Sequence, residues 1–149
     1  MSNPLQAMSG LGSLEVASSE AGRTLLISLA AESARVGLGL GYRVPAFAGA
    51  PAERWADAGR PETRDALDRL LTPTVPGGRS WRASMAQDVT KGRRTEIDEM
   101  NGWVVARGEE CGVATPVSRA AVETMHEVDS RSRPAAPGNL ELTLRRAGL

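Results

Sequence analysis

Cysteine, histidine, lysine and aromatic rings are all scarce in this chain of 149 residues: one Cys, one His, one Lys, three Trp, one Tyr and one Phe. Cys111 alone forms no internal disulfide, and with His126 it falls far short of the four ligands of a structural zinc, so no metal site is expected and a reducing compartment fits. There is no run of 18 apolar residues and no basic-then-apolar start. That excludes a membrane-spanning helix and a signal peptide, and a cytoplasmic location is expected. Acidic and basic residues balance at 18 each. The broad positive field used by nucleic-acid binders is therefore missing, which argues against a DNA-binding helical regulator. Every basic residue except Lys91 is arginine, so chemistry that needs a lysine has one candidate.

What is present suits one globular domain. Hydrophobic residues make up 41% and charged residues 24%, enough to bury a core within an ordinary domain length. Ala21, Leu25, Leu29 and Val36, widened by Leu26, Ile27 and Ala30, predict an amphipathic helix over 17–36, with Glu20, Arg23, Glu32 and Arg35 on other faces. Gly37-Leu38-Gly39-Leu40-Gly41 terminates it; the spacing and the preceding helix argue against a nucleotide-binding loop. A short helical turn is expected around Trp55, and Pro61 opens a helix carrying Leu67, Leu70 and Leu71.

After a linker over 72–80, Ser84 and Gln87 form the spacing of a capping box for a helix ending near Lys91-Gly92. Lys91-Gly92-Arg93-Arg94 reads as a solvated turn. Thr95-Glu96-Ile97-Asp98 opens the next helix, with Ile97, Met100, Val104 and Val105 on one face and Cys111-Gly112 at its end. Cys111 is expected as a buried structural thiol and His126 as a helix-surface or packing residue. A helix over 118–128 carries Val122, Met125 and Val128. No β-branched run alternates with polar residues, so the fold class is all-α with five or six helices. The expected boundary lies at 130, with a Pro/Arg-rich tail over 131–149 that has too little apolar surface to fold alone.

The segment from Ser84 to Pro116 carries the most specific pattern. Ser84-Met85, Asp88, Gly92-Arg93, Thr95-Glu96-Ile97-Asp98, Asn101-Gly102, Gly112-Val113 and Thr115-Pro116 follow one another in the order S-M-x-x-D, basic turn, T-E-I-D, N-G, G-V-x-T-P. This resembles the C-terminal helical domain of the ketopantoate reductase (2-dehydropantoate 2-reductase) family, a bundle of the 6-phosphogluconate dehydrogenase C-terminal type. Asn3-Pro4-Leu5 with Ala7 and Gly10 resembles the start of that domain, and Asn139-Leu140 after Pro134 resembles its tail. The resemblance covers about residues 3–140, firmly over 84–129 and loosely over 40–80.

The resemblance implies a helical domain that packs on an N-terminal Rossmann domain holding NADP(H), with the substrate in the cleft between them. It implies reduction of a 2-keto acid to a 2-hydroxy acid, in the family a step of pantothenate biosynthesis. Asn3 and Ser84 would bind the substrate and Glu96 would lie at its cofactor edge. Each also has a plain structural role open to it, Ser84 as a helix cap and Glu96 as a favoured residue of a first helical turn.

The family's proton-donating lysine lies about two helical turns ahead of the asparagine matched by Asn3, which places it before Met1. Lys91 matches a variable basic position instead. No Rossmann segment lies within these residues, so no catalytic residue is assigned to this chain, no cofactor is expected to bind it alone, and activity is expected only with a Rossmann domain, supplied either by a longer gene of which this is a fragment or by a separate partner chain. Trp81 and Arg82 stand where relatives carry small or polar groups, which puts specificity for pantoate itself in question. The alternative is a non-catalytic helical module for binding or homodimerisation, built on the apolar face that a bare helical half exposes.

Overall fold

The computed structural model describes residues 2–73 and 80–149, and among them the chain is all-α. Helices α1 (Ser2–Ser9), α2 (Ser13–Ser18), α3 (Glu20–Gly39), α4 (Ala52–Ala56) and α5 (Pro61–Leu71) make up the first stretch. Helix α6 (Ser84–Thr90), a π-helical turn (Asp98–Gly102), α7 (Trp103–Cys111), α8 (Pro116–Asp129) and α9 (Asn139–Ala147) make up the second. Among the described residues the helices outnumber the five or six expected, because α1, α2 and α9 add to those read from periodicity.

Helix α3 is the spine. Ser19 caps it, its side chain accepting from Gly22 N at 3.0 Å, so the helix begins two to three residues later than the apolar period alone indicates. It runs into the glycine-rich stretch and stops at Leu40, after which Gly41 adopts φ +77°. Gly41 thus takes the terminator role expected of this stretch, whereas Gly37 and Gly39 lie within the helix.

Two cores flank the spine. On one side Leu25 and Leu29 meet Leu5, Met8, Met85, Ile97, Met125 and Leu140. On the other, Ile27, Ala30, Ala31 and Ala34 pack on Trp55, Ala58 and Leu67. Helix α1 lies inside the first core, with every residue from Pro4 to Ser9 buried, and α6, α8 and α9 pack around it. The expected chain path around Trp55 and Pro61 holds: a short helix carries Trp55 and another starts at Pro61, and Trp55 stacks on Phe47 at 5.4 Å while its Nε1 donates to Phe47 O. Leu67 is buried and Leu71 half-buried, whereas Leu70 turns out to solvent.

Several expectations need correction. Glu32, read as lying on a polar face, is 1% exposed; its two carboxylate oxygens accept from Val117 N at 2.8 Å and Ser118 N at 2.7 Å, so it straps α3 to the N-terminus of α8. Ser84 does not form a capping box. It is the first residue of α6, Ala83 occupies the cap position with no side-chain cap, and Gln87 Nε2 donates to Arg82 O at 3.3 Å. Met100 does not share a buried face with Ile97. The π turn adds a residue to the helical turn and rotates the helix beyond it, leaving Ile97 in the core, Met100 exposed and Val104 and Val105 half-buried.

The remaining segments obey their local chemistry. Gly112, at φ +71°, ends α7, and Val113 N donates back to Gly108 O at 2.8 Å. Cys111 is half-buried rather than buried, with Sγ 3.7 Å from Gly108 O. Of the linker over 72–80, residues 74–79 lie outside the described residues, as does Met1. Beyond them, Trp81 and Ser13 exchange two hydrogen bonds at 3.0 Å, and Ser80 Oγ donates to Glu15 at 2.7 Å. Within 131–149, α9 packs along α8. Asn139 Nδ2 donates to Met8 O at 2.8 Å and to Pro134 O at 3.0 Å, which satisfies a carbonyl at the end of α1.

Candidate functional site

Helix α1 organises the site. Asn3 and Gln6 are three residues apart and so project from the same side of the helix. Asn3, half-buried in the first turn, places Nδ2 3.7 Å from Met100 Sδ in the π turn. Met100 N in turn donates to Glu96 O at 3.1 Å. Gln6, fully buried, accepts from Ala83 N at 2.9 Å through Oε1. The next residue is Ser84. The structure thus brings Asn3 directly against the Glu96–Met100 turn and ties the start of α6, with Ser84, to the same side of α1.

Ser84 and Glu96 are both exposed. Because the N-terminus of α6 has no side-chain cap, the Ser84 hydroxyl is not committed to the helix end. Glu96 stands just ahead of the π turn, and the preceding Thr95 is pinned by Asp129, whose Oδ2 accepts from Thr95 N at 3.2 Å and from Oγ1 at 2.8 Å. Pinning a buried threonine fixes where the exposed glutamate emerges. Along α6, Gln87 and Lys91 share the Ser84 face at the third and seventh positions on, and with Arg82 and Thr90 they line an open recess of about 400 Å³. Two cations at its ends suit an anionic ligand.

Three large apolar side chains are exposed on or next to the elements that carry these polar groups. Trp81 is 55% exposed, Trp103 45% and Met100 37%. Trp81 precedes the Ser84 helix, and the other two lie in and directly after the π turn. Exposed tryptophan and methionine are side-chain types enriched at interfaces.

The electrostatics nearby are those of structural pairs. The hydrogen bond from His126, 2.7 Å away, and then Arg94 at 3.0 Å hold the Asp98 carboxyl below its ordinary range. His126 is therefore a helix-surface residue paired to the π turn. Arg133 and then Arg146 lower Glu127 in the same way. Glu32 is displaced in the opposite direction: burial pushes its carboxyl up against the pull of the Ser118 and Val117 donors. Lys91 is exposed in the turn after α6, and its neighbours Arg93 and Arg94 face Asp88 and Asp98. Among the described residues no group of three or more His, Cys, Asp and Glu side chains is placed to hold a metal ion, and no helix is long and apolar enough to cross a membrane.

Sequence reasoning missed Gln6 and Glu32. Both had a signal: Gln6 interrupts an otherwise apolar run in α1, and Glu32 falls on the Leu25, Leu29, Val36 stripe at helical spacing.

The chain is similar to known proteins over most of its length. It matches the family model for the ketopantoate reductase PanE/ApbA C terminal over residues 1–129. Among curated relatives, 2-dehydropantoate 2-reductase of Pyrobaculum aerophilum is 32% identical over 116 residues, 78% of this chain and 33% of the relative. Proteins of the same name from Archaeoglobus fulgidus and Vibrio cholerae are 41% identical over 49 residues and 45% over 47, which is 33% and 32% of this chain and 17% and 16% of theirs. The chain therefore spans at most a third of the length of these relatives. With an all-α fold and a family match that runs from α1 through α8, the chain belongs to the ketopantoate reductase family, as its C-terminal helical domain.

Proposed function

We propose that this chain is the substrate-binding half of a 2-dehydropantoate 2-reductase-like oxidoreductase, and that it binds a small 2-keto acid at the face formed by Asn3, Ser84 and Glu96. The observation that carries the reading is the joining of those elements: Asn3 lies against the Glu96–Met100 turn, and one side of the same helix holds the residue ahead of Ser84. An amide and a hydroxyl offer donors to a carboxylate or keto oxygen, and Arg82 and Lys91 add positive charge on the flank. Such a constellation binds and orients an acid.

Reduction also requires a hydride for the keto carbon and a proton for its oxygen. NADP(H) supplies the hydride in this reading. The described residues do not fit as its holder: they contain no strand, glycine turn and helix unit to seat a dinucleotide, and Glu96 contributes one exposed carboxylate. Lys91 does not serve as the proton donor at Ser84, because it sits past the far end of α6, about 10 Å along the helix axis. Turnover is thus assigned to an assembly in which a Rossmann domain, on the same or another chain, covers the Trp81, Met100 and Trp103 surface.

The test is NADPH oxidation with 2-dehydropantoate. The 149-residue chain alone is expected to give none, and addition of a dinucleotide-binding domain of the family is expected to restore turnover that Glu96→Ala or Ser84→Ala reduces. Turnover by the chain alone refutes the division of labour. Failure of every such partner, together with self-association buried at Trp81 and Trp103, supports the second reading: a helical dimerisation module that uses the same exposed aromatic surface without chemistry.

A further inference from the structure

We infer that Gln6 is a positioning residue for the proposed acid-binding site, fixing the first turn of α6 so that Ser84 faces the ligand; this rests on the function proposed above. Gln6 is fully buried in α1 among Leu5, Ala7 and Met8. Its Oε1 accepts from Ala83 N at 2.9 Å. Ala83 is 3% exposed and stands at the cap position of α6, where a backbone N–H has no acceptor within the helix and no side chain of α6 supplies one. Gln6 supplies it from across the helix pair.

The amide is a mixed contributor to stability, since its Oε1 pairs the buried Ala83 N–H while its other end opposes that gain. Its Nε2 is buried and has no hydrogen-bond partner among the described residues, and an unpaired buried amide nitrogen opposes folding. A methionine would fill a similar volume without that donor. What the glutamine adds is an acceptor aimed at the residue before Ser84. Asn3 stands one turn earlier on the same side of α1, so a single helix carries one ligand-contacting group and the strut that sets the other. Any rotation of α1 moves both together.

Isotope-labelled 149-residue chain is titrated with pantoate as wild type, Gln6→Met, Ser84→Ala and the double variant. Dissociation constants are read from the amide shifts of α1 and residues 96–100, with melting temperature measured in parallel. Gln6→Met is expected to weaken binding about 3- to 10-fold, the effect of one hydrogen bond, and, because it leaves the buried Ala83 N–H unpaired, to lower the melting temperature by about 10 °C or less. In the Ser84→Ala background it is expected to add no further loss, because the two residues act through one contact. Equal affinity of Gln6→Met and wild type, or losses that add in the double variant, overturns the inference and leaves the binding site standing. Absence of saturable binding by the wild type overturns the site and the inference with it. Should Gln6→Met fail to fold, hydrogen exchange at the Ala83 amide of the wild type decides: protection is expected, and exchange at the rate of an open peptide overturns the strut.

Discussion

The two sides of α3 are built on different principles. The side facing α1 is filled by Leu, Met and Ile side chains interleaved with buried polar groups, among them Gln6, Asn139 and Thr143. The side facing α4 and α5 is filled by alanines set against one large ring, Trp55, with Leu67 beside it. The first core holds helices and a π turn in register around a candidate ligand face; the second closes the back of the spine and carries no candidate site residue. Polar groups buried in the first core specify orientation, because Gln6 and Asn139 each bond a particular backbone group in a neighbouring element. The second core specifies contact and little else.

If that contrast is right, equal damage on the two sides has unequal consequences. Trp55→Ala removes the largest buried side chain of the second core and is expected to cost about 3–5 kcal/mol in chemical denaturation. Affinity for pantoate in the molecules that remain folded is expected to be unchanged. Leu5→Ala and Leu67→Ala make the comparison at fixed chemistry. Both leucines are fully buried, and each substitution is expected to destabilise by about 2–5 kcal/mol. Only Leu5→Ala, which loosens α1, is expected also to weaken pantoate binding. A loss of affinity in Leu67→Ala equal to that in Leu5→Ala would erase the distinction.

Glu32 lies between the two regions and sharpens the contrast through pH. Glu32→Ala leaves the Val117 and Ser118 N–H groups without their acceptor and is expected to cost about 2–4 kcal/mol. Since burial raises the Glu32 carboxyl above the ordinary 4.5, the folded state holds the proton more tightly than the unfolded state. Its contribution to stability is therefore fully present below about pH 4.5 and is lost as pH rises through the raised folded value. Denaturation from pH 4.5 upward should show wild type losing stability relative to Glu32→Gln; a difference independent of pH contradicts this sign. The half-buried carboxylates Asp98 and Glu127, whose values are lowered, act in the opposite direction and at more acid pH. At the small end, His126→Ala breaks an exposed pair with Asp98 and is expected to change stability by about 0.5 kcal/mol or less.

The division between the cores also marks how much was legible in the sequence. The all-α class, the α3 stripe, the glycine terminators and the Pro61 helix all came from local chemistry, and the ordered motifs from Ser84 to Pro116 pointed to the family. What escaped were contacts between elements distant in sequence. Ser84 has the right neighbours for a capping box, yet the acceptor at that helix end comes from Gln6, 77 residues earlier than Ala83. Glu32 bonds residues 85 and 86 positions later, so its charge alone suggested solvent while its place in the apolar stripe indicated the core. Met100 was assigned inward by a 3.6-residue period that the π turn breaks. Of the site residues, Asn3, Ser84 and Glu96 were named from the motif. The links of Asn3 to Met100 and of Gln6 to Ala83 depend on the packing of α1, which no local pattern encodes.

The most direct test of a ligand face built on the α1 side is an amide-shift titration of the wild-type chain with pantoate. The account expects saturable shifts confined to α1, the start of α6 and residues 96–100, with α4 and α5 unmoved. Saturable shifts centred on α4 and α5, or none at any residue, would contradict it.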